Sequence, residues 1–475
     1  MTTPTQPKRL TKIRPEVQFK QHQIDGIRWL IRSGSSIIGD DMGLGKTLES
    51  LTVAAADFER GIASRVLVVT LASLKPNWAA EIEKFTFFSY EILDGTPQKR
   101  AKQLANFNSD VMIVHYEQVL KHADDLNGIG FQVVIFDEAH AINNSKAKRT
   151  KAALKLEGLR KLPMTGTPML NSPMDLWTLF HIVDPDLFPN KWKYRNRYCA
   201  FGGWQGKQVI GVKNERELNS VLSGVMLRRL KKDVLKIGEP QDIPVWVDMH
   251  DDQRKMYDIV LKDQLDGLAA VHSPLEIENS TQRFVALKEI CGSLGTVDGM
   301  PDSSAKLDAM FDKIEEILLS GAPTVVFTQF RKIWALIVER ATKLDIPIWG
   351  INGDTPKLDR IPMVDEWTRA SKTGQHGIML AMYQVGGIGM NMVAASTVHM
   401  PDRLYVPGLN NQAVDRLNRI GQTEPVQVFR YLCRRSIDSR VEKINQMKER
   451  MAGAVVEGDL TWKQMLIKAM LEDED

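Results

Sequence analysis

Cysteine is scarce in this sequence, and long apolar runs are missing. The three cysteines, Cys199, Cys291 and Cys433, stand far apart without a C-x-x-C spacing. This pattern speaks against a zinc site recognisable from sequence and fits a reducing compartment. No stretch is apolar enough to span a bilayer, and residues 1–14 lack the apolar segment of a secretory signal. We therefore expect a soluble, cytoplasmic protein without a membrane partner.

An excess of either charge is also absent, because the net charge is only +3 over 475 residues. Such a balance permits a polyanionic partner without demanding one. Hydrophobic residues make up 43% and charged residues 25%, which excludes a disordered tail protein. The length predicts two or three domains.

A phosphate-binding loop is the first pattern that is present. Ile37 and Ile38 lead into a glycine-bearing loop and a predicted helix over 48–58, which would point backbone N–H groups at phosphate. Lys46 would reach the β- and γ-phosphates, and Thr47 would hold Mg²⁺. The other loop residues of the predicted site are Met42, Gly43, Leu44 and Gly45. Asp40 replaces the first glycine of the strict pattern, so by itself the loop leaves an unrelated turn open.

A parallel sheet is predicted around this loop. Short apolar segments at 66–69, 111–114 and 133–136 alternate with helical ones, as in a doubly wound α/β sheet. Ligands of such sheets bind beyond the strand C-termini. Asp137 and Glu138 directly follow the third segment, so they are candidates for Mg²⁺ ligand and general base, with a solvated acidic turn as the alternative.

A linker is expected near 237–240, and helical segments follow it to about residue 290. A second α/β series then begins. Its expected elements are a helix over 306–319 and strands over 324–327, 346–349, 378–381, 397–400 and 426–431. In the first half, 184–225 reads as an insertion that contains the aromatic and basic stretch 191–198. For this stretch we favour a helix with docked aromatics and solvated cations over a nucleic-acid contact.

Two arginines near the end of the chain, Arg416 and Arg419, are predicted to share one helical face. A planar, permanently charged guanidinium can stabilise the charge on a transferring γ-phosphoryl group. The alternative is a pair salt-bridged to Asp415 or Glu424.

Eight ordered motifs make the chain resemble a known family. They read DDMGLGKT, LASLKPNW, FDEAH, LPMTGTPMLN, VMLRRLKKDV, VVFTQF, QVGGIGMN and QAVDRLNRIGQ. Together they look like the SWI/SNF-type DNA-dependent ATPases of helicase superfamily 2. The resemblance implies an α/β fold of two RecA-like lobes, expected at 1–237 and 238–475, with helical insertions near 184–225 and 245–290. It also implies ATP and Mg²⁺ as cofactors and double-stranded DNA, largely independent of sequence, as partner. We further expect a monomer.

The resemblance further assigns roles residue by residue. Gln23 would read the adenine edge, and the coupling of ATP state to DNA grip would involve His140, Thr165 and Thr167. The remaining assignments are Gly387, Gly389 and Asn391 near ATP and DNA, Ser73, Tyr116 and Gln329 along the DNA, and Arg416 and Arg419 as arginine fingers.

Three positions depart from the family pattern. Leu71, Tyr405 and Asn418 stand where proline, tryptophan and histidine are usual, and they bear on DNA contact and coupling rather than on hydrolysis. No bromodomain-, chromodomain- or zinc-finger-like segment is left over, so we expect a bacterial, archaeal or phage origin.

The favoured function is thus an ATP-driven translocase on duplex DNA. A strand-separating DNA or RNA helicase stays open, although that group usually carries glycine where Asp415 stands. An ATP-switched nucleic-acid-binding protein or a degenerate scaffold also stays open, although neither needs Glu138 together with Arg416 and Arg419.

Overall fold

Two parallel β-sheets organise the chain, each in its own structural unit. The structure is a computed structural model and describes residues 10–202, 208–235, 238–269, 284–356, 358–383, 390–419 and 421–457. The first unit comprises Met1–Leu235 together with Lys448–Asp475, and the second comprises Lys236–Met447. The last segment therefore groups with the first unit, whereas the sequence had assigned it to the second. Met451 and Val455 explain this grouping, because they lie in the core of the first unit.

The first unit alternates strands and helices. Its helices are α1 (Gln21–Ser33), α2 (Lys46–Glu59), α3 (Lys75–Phe85), α4 (Pro97–Ala105), α5 (Tyr116–Ile129), α6 (Lys148–Leu154), α7 (Met174–Val183), α8 (Lys191–Tyr198), α9 (Glu215–Val225) and α10 (Lys231–Val234). Its strands are β1 (Ile37–Ile38), β2 (Val66–Thr70), β3 (Tyr90–Ile92), β4 (Val111–His115), β5 (Val133–Phe136), β6 (Arg160–Pro163), β7 (Cys199–Gly202), β8 (Gln208–Val212) and β9 (Met226–Leu227).

The main sheet of this unit is parallel, in the order β3-β4-β2-β5-β6. Ile38 of β1 bridges to Met164 just beyond β6, and β1 pairs in parallel with β9. The central strands β2, β4 and β5 are buried along almost their whole length, because both faces of the sheet are covered. This places the ends of β1, β2 and β5, with their polar residues, at one sheet edge.

The second unit repeats the architecture with different strands. Its helices are α11 (Asp251–Ala269), α12 (284–292), α13 (Ala305–Leu319), α14 (Arg331–Lys343), α15 (Arg360–Lys372), α16 (Pro407–Val414) and α17 (Ile437–Ala452), the last of which runs across the unit boundary. Its strands are β10 (Gln241–Val247), β11 (Thr324–Thr328), β12 (Ile348–Ile351), β13 (Ile378–Met382), β14 (Thr397–Met400) and β15 (Gln427–Cys433). All neighbours are parallel, in the order β10-β15-β14-β11-β13-β12. The prediction of an α/β fold with parallel sheets is confirmed.

Two predictions about the inserted segments were wrong in detail. The region 245–290 was expected to be helical throughout, but β10 occupies its beginning as an edge strand. Its residues are exposed or half-buried, and Pro244 is tolerated because one side of an edge strand forms no ladder. The other insertion contains the antiparallel hairpin β7–β8 besides helices.

The aromatic and basic stretch 191–198 forms α8 as favoured from sequence. Tyr194 and Tyr198 are buried, whereas Trp192 stays 69% exposed, so two of the three aromatic rings dock inward. Within the residues that the structure describes, no helix has the length and apolarity needed to cross a membrane.

Candidate nucleotide site

The loop between β1 and α2 has the backbone that a phosphate cradle needs. Gly43 and Gly45 adopt φ values of 85° and 96°, the left-handed region that glycine enters without steric cost. A side chain at Gly45 would also collide with the amide of Gln23. Helix α2 begins at Lys46, so its first N–H groups face the loop and favour an anion.

Gln23 reaches this loop from α1. Its side-chain amide donates to the Leu44 carbonyl at 3.2 Å, and its oxygen accepts from the Lys20 backbone N–H at 3.0 Å. The structure therefore brings Gln23 to the predicted phosphate loop, and its contact with adenine stays a prediction.

The ammonium of Lys46 lies inside the loop. It donates to the backbone carbonyls of Asp40 and Asp41 at 2.8 and 3.2 Å. Burial lowers the pKa of Lys46, while the negative charges of Glu138 and Asp40 oppose that shift. An arriving phosphate would replace weak carbonyl partners by a full negative charge, which favours the charged amine.

Asp137 directly follows β5, and among the described residues its side-chain hydrogen bonds reach only one carboxylate oxygen. Its Oδ2 accepts hydrogen bonds from the Thr70 hydroxyl at 2.9 Å and the Trp78 indole N–H at 2.8 Å. Burial, followed by the charge of Glu138, raises the pKa of Asp137 to about 6. A bound cation would favour the charged form, as expected of a metal-side carboxylate.

Glu138 begins a short chain of contacts through predicted coupling residues. Its backbone is left-handed at φ 48°, an unusual conformation for a non-glycine residue and one that is often found at functional sites. Its Oε2 lies 3.2 Å from Nδ1 of His140, which lies 3.4 Å from the Thr165 hydroxyl. The same hydroxyl accepts from the backbone N–H of Thr167 at 3.1 Å. Four residues named from sequence are thus brought together.

Ser73 and Tyr116, two residues of the first unit that were predicted to line the DNA, differ in how deeply they are buried. Ser73 is half-buried in the turn before α3, compatible with its predicted contact. Tyr116 is only 1% exposed and donates its hydroxyl to the Asp137 carbonyl at 2.7 Å. We therefore revise Tyr116 from a DNA contact to a residue that supports the carboxylate pair, because a side chain buried this way has no face for DNA.

Sequence reasoning missed Arg228 and Arg229, which form ion pairs with acidic residues of the phosphate loop and of α2. Arg229 binds the carboxylates of Asp40 and Glu49, both fully buried, and burial raises the pKa of Glu49 to about 8. Arg228 pairs with Asp41 at 2.9 Å. Both arginines stand shortly before the predicted linker, and the sequence signal for them was Asp40, which replaces the first glycine of the strict loop pattern.

In the second unit, Gln329 is anchored by Asp402. The Gln329 backbone N–H donates to Asp402 Oδ1 at 2.9 Å, and its side-chain amide donates to the Arg403 carbonyl at 3.1 Å. Asn391 is exposed, and its neighbour Met392 bonds to the Arg416 carbonyl at 3.0 Å. Gly387 and Gly389 lie outside the described residues.

The two candidate arginines do not share a helical face, which corrects the prediction. Helix α16 ends at Val414, and the chain then tightens, since the N–H of Arg416 bonds three residues back and that of Arg419 only two. Arg416 is 4% exposed and Arg419 is half-buried. The departure Asn418 is buried between them, whereas Leu71 packs on the first core.

A parallel sheet with a glycine-bearing loop, a half-buried lysine and paired carboxylates at one edge is the arrangement typical of α/β nucleotide-binding proteins of the phosphate-loop class. Residues 22–295 match the family model of the SNF2-related domain, so the chain belongs to that family. The resemblance to SWI/SNF-type ATPases is thereby confirmed.

Relatives agree in kind across most of the chain. It is 25% identical to the yeast ISWI chromatin-remodeling complex ATPase ISW1 over 94% of its length and 41% of that protein. It is 26% identical to an uncharacterized ATP-dependent helicase, MG018, of Mycoplasma genitalium, over 94% of its length and 43% of the relative. The chain thus spans about two-fifths of these relatives. A solved Sulfolobus solfataricus SWI2/SNF2 ATPase core in complex with dsDNA aligns with a TM-score of 0.46 and 22% identity, covering 96% of both chains.

Proposed function

We propose that this protein hydrolyses ATP to move along double-stranded DNA. The observation that carries the proposal is the meeting of Lys46, Asp137 and Glu138 at the sheet edge of the first unit. Membership of the SNF2-related family, and relatives named as ATPases and ATP-dependent helicases, support the same activity.

The residues present fit a magnesium nucleotide. A hydroxyl from Thr47 and the carboxylate of Asp137 are the hard oxygen ligands that Mg²⁺ prefers, and the N-terminus of α2 suits a phosphate. When bound, the metal would neutralise charge on the phosphates. Lys46 would pair with the phosphate oxygens, and Glu138 would take the proton of the attacking water while His140 orients its carboxylate.

Arg416 and Arg419 are proposed as the groups that stabilise charge on the transferring phosphoryl. Both guanidinium groups carry a permanent charge at any working pH. Asp415 precedes Arg416 where strand-separating relatives usually carry glycine, which favours translocation on intact duplex over unwinding.

The test is an ATPase assay with no nucleic acid, single strands, duplex DNA and duplex RNA. We expect duplex DNA to stimulate turnover most. In a companion assay, a third strand bound in the major groove should be displaced with ATP, while a simple forked duplex stays paired. Processive opening of the fork with the third strand retained would replace this proposal by a strand-separating helicase.

DNA affinity should also report how the track is held. A motor that grips phosphates and ignores bases loses affinity steeply with salt and shows little sequence preference. A strong preference for one defined sequence at physiological salt would contradict the proposal.

A further inference from the structure

The end of β9 and the segment that follows it lie directly against the phosphate loop. The backbone N–H of Gly39 donates to the Leu227 carbonyl at 2.8 Å. The N–H of Asp41 donates to the Arg229 carbonyl at 3.1 Å, and the Asp41 carboxylate accepts from the Lys231 backbone N–H at 2.9 Å. The loop is therefore held by a segment that lies almost 190 residues further along the chain.

Arg228 forms the side-chain part of this attachment. Its Nη1 donates to the carbonyl of Gly39 at 2.6 Å and to that of Gly166 at 3.3 Å. The same nitrogen lies 2.9 Å from Asp41 Oδ1. Since Gly166 belongs to the turn 165–167, one guanidinium fastens the phosphate loop to the turn that Glu138 reaches through His140.

The turn also fits closely against the loop. A Cβ added at Gly166 would come within 2.7 Å of the Met42 side chain, so the two segments touch without room between them. Arg228 is near enough to Lys46 for its charge to lower the pKa of the lysine, after the larger effect of burial. Two cations are thus concentrated at the loop.

We propose that Arg228 is a positioning residue for the nucleotide. When Lys46 leaves the carbonyls of Asp40 and Asp41 for the phosphates, those carbonyls lose a donor. Arg228 keeps its hold on Gly39 and Asp41, so the loop retains the shape that receives phosphate and stays attached to the turn 165–167. This role rests on the proposed ATPase function and names how its binding loop is supported.

The experiment measures binding of a fluorescent ADP analogue with Mg²⁺, which requires neither hydrolysis nor DNA. Arg228→Gln should weaken binding about 10- to 100-fold, the loss expected when charge-assisted hydrogen bonds are removed. Arg228→Lys, which keeps the charge but not the fork, should recover part of the loss. Arg216→Gln, at an exposed arginine of the same unit, is the control and should bind as the wild type does.

A second variant separates positioning from general folding. Arg228 and Asp41 form an ion pair at 2.9 Å, so the effects of Arg228→Gln and Asp41→Asn on nucleotide affinity should be less than additive. Wild-type affinity in Arg228→Gln, with or without a lowered melting temperature, overturns the inference and leaves Arg228 a structural residue. A wild-type protein that binds no nucleotide overturns the proposed function as well.

Discussion

Two aspartates, one half-buried and one buried, show how the two units use the same architecture differently. Asp137 follows β5 in the first unit, and Asp402 follows β14 in the second. Among the described residues, Asp137 accepts side-chain hydrogen bonds through Oδ2 only, whereas Asp402 accepts from the Thr328 hydroxyl at 2.5 Å and the Gln329 N–H at 2.9 Å through different oxygens. Oδ1 of Asp137 thus accepts no side-chain hydrogen bond from the described residues, whereas both oxygens of Asp402 hold its own loop.

The surroundings of Asp137 and Asp402 indicate which of the two similar units is suited to catalysis. Burial raises the pKa of both carboxyls, so that shift does not distinguish them. The charged neighbours distinguish them, because Asp137 lies near both the negative charge of Glu138 and the positive charge of Lys46. We therefore propose that the first unit carries the hydrolytic groups and that the second contributes the arginines.

The largest effect should come from the proton acceptor of the first unit. Glu138→Gln should lower ATP turnover by roughly 10²- to 10⁴-fold, because an amide cannot take the proton of water. Binding of ATP and DNA should be retained. Steady-state hydrolysis and direct binding measure the two effects, with Glu157→Gln, at an exposed carboxylate, as the control. Hydrolysis near the wild-type rate would exclude Glu138 as the base.

The single replacements Arg416→Ala and Arg419→Ala in the second unit should each lower kcat by up to about 10³-fold, and nucleotide affinity should be much less affected. Because Arg416 is buried and Arg419 only half-buried, Arg416→Ala alone should also lower the melting temperature of its unit. Arg369→Ala, at an exposed site of the same unit, serves as control. A variant that loses ATP binding yet turns over normally at saturation would show a ground-state ligand instead.

Asp40→Gly restores the strict phosphate-loop pattern and should nevertheless damage the first unit. Without Asp40, the half-buried guanidinium of Arg229 keeps only Glu49 as a carboxylate partner, and the loss of its charged hydrogen bonds to Asp40 should cost about 1.5–3 kcal/mol. The free energy of unfolding in denaturant measures the loss. The stability of Asp40→Asn should lie between that of the wild type and that of Asp40→Gly. Unchanged stability and activity of the glycine variant would mean that Asp40 has no such role.

The two aspartates can be compared directly by the same substitution. Asp137→Asn should raise the Mg²⁺ concentration needed for hydrolysis by about 10- to 100-fold, with little loss of stability. Asp402→Asn should instead destabilise the second unit by about 1–3 kcal/mol, since its partners keep no charged acceptor. Metal titrations and denaturation of both variants give the answer. Equal effects on metal dependence would remove the contrast between the units.

The smallest effect is a difference in pH response. His399 stacks on Phe429 with its Nδ1 2.8 Å from the Tyr431 hydroxyl, and burial lowers its pKa to about 3. An unfolded histidine takes up its proton near pH 6.5, so the second unit should lose up to about 1.4 kcal/mol per pH unit below that value. Asp137, with its pKa raised to about 6, acts in the opposite direction between about pH 6 and 4, because its folded form binds the proton first.

Unfolding followed from pH 7 to 4 tests this difference. His399→Phe keeps a ring at the position and should reduce the pH dependence by about one proton. An unchanged dependence would show that His399 titrates alike in the folded and unfolded chain.

Local pattern was enough for much of the fold. The predicted strands over 133–136 and 397–400 coincide with β5 and β14, and the loop before α2 follows from glycine chemistry and the start of an apolar helix. These features depend on neighbours within a few residues, which is what periodicity and turn residues record. Asp137 and Glu138 could be named because their position after a strand is itself a local fact.

What only the tertiary structure decided lies at long separation along the chain. In edge strand β10 the apolar residues Ile243, Val245 and Val247 do alternate, but Pro244 and Trp246 stand between them, so local pattern did not separate the strand from the helical segment predicted there. Its pairing with β15 was decided by the fold. Cys291 and Cys433 lie beside Asp438 although no spacing joins them, and Lys306 supplies the counter-charge to that aspartate at 2.6 Å. Arg228 and Arg229 likewise meet Asp41 and Asp40 only because β9 pairs with β1. Such contacts arise when closure of the sheet brings distant segments together, and the burial that makes them strong exists only in the folded chain.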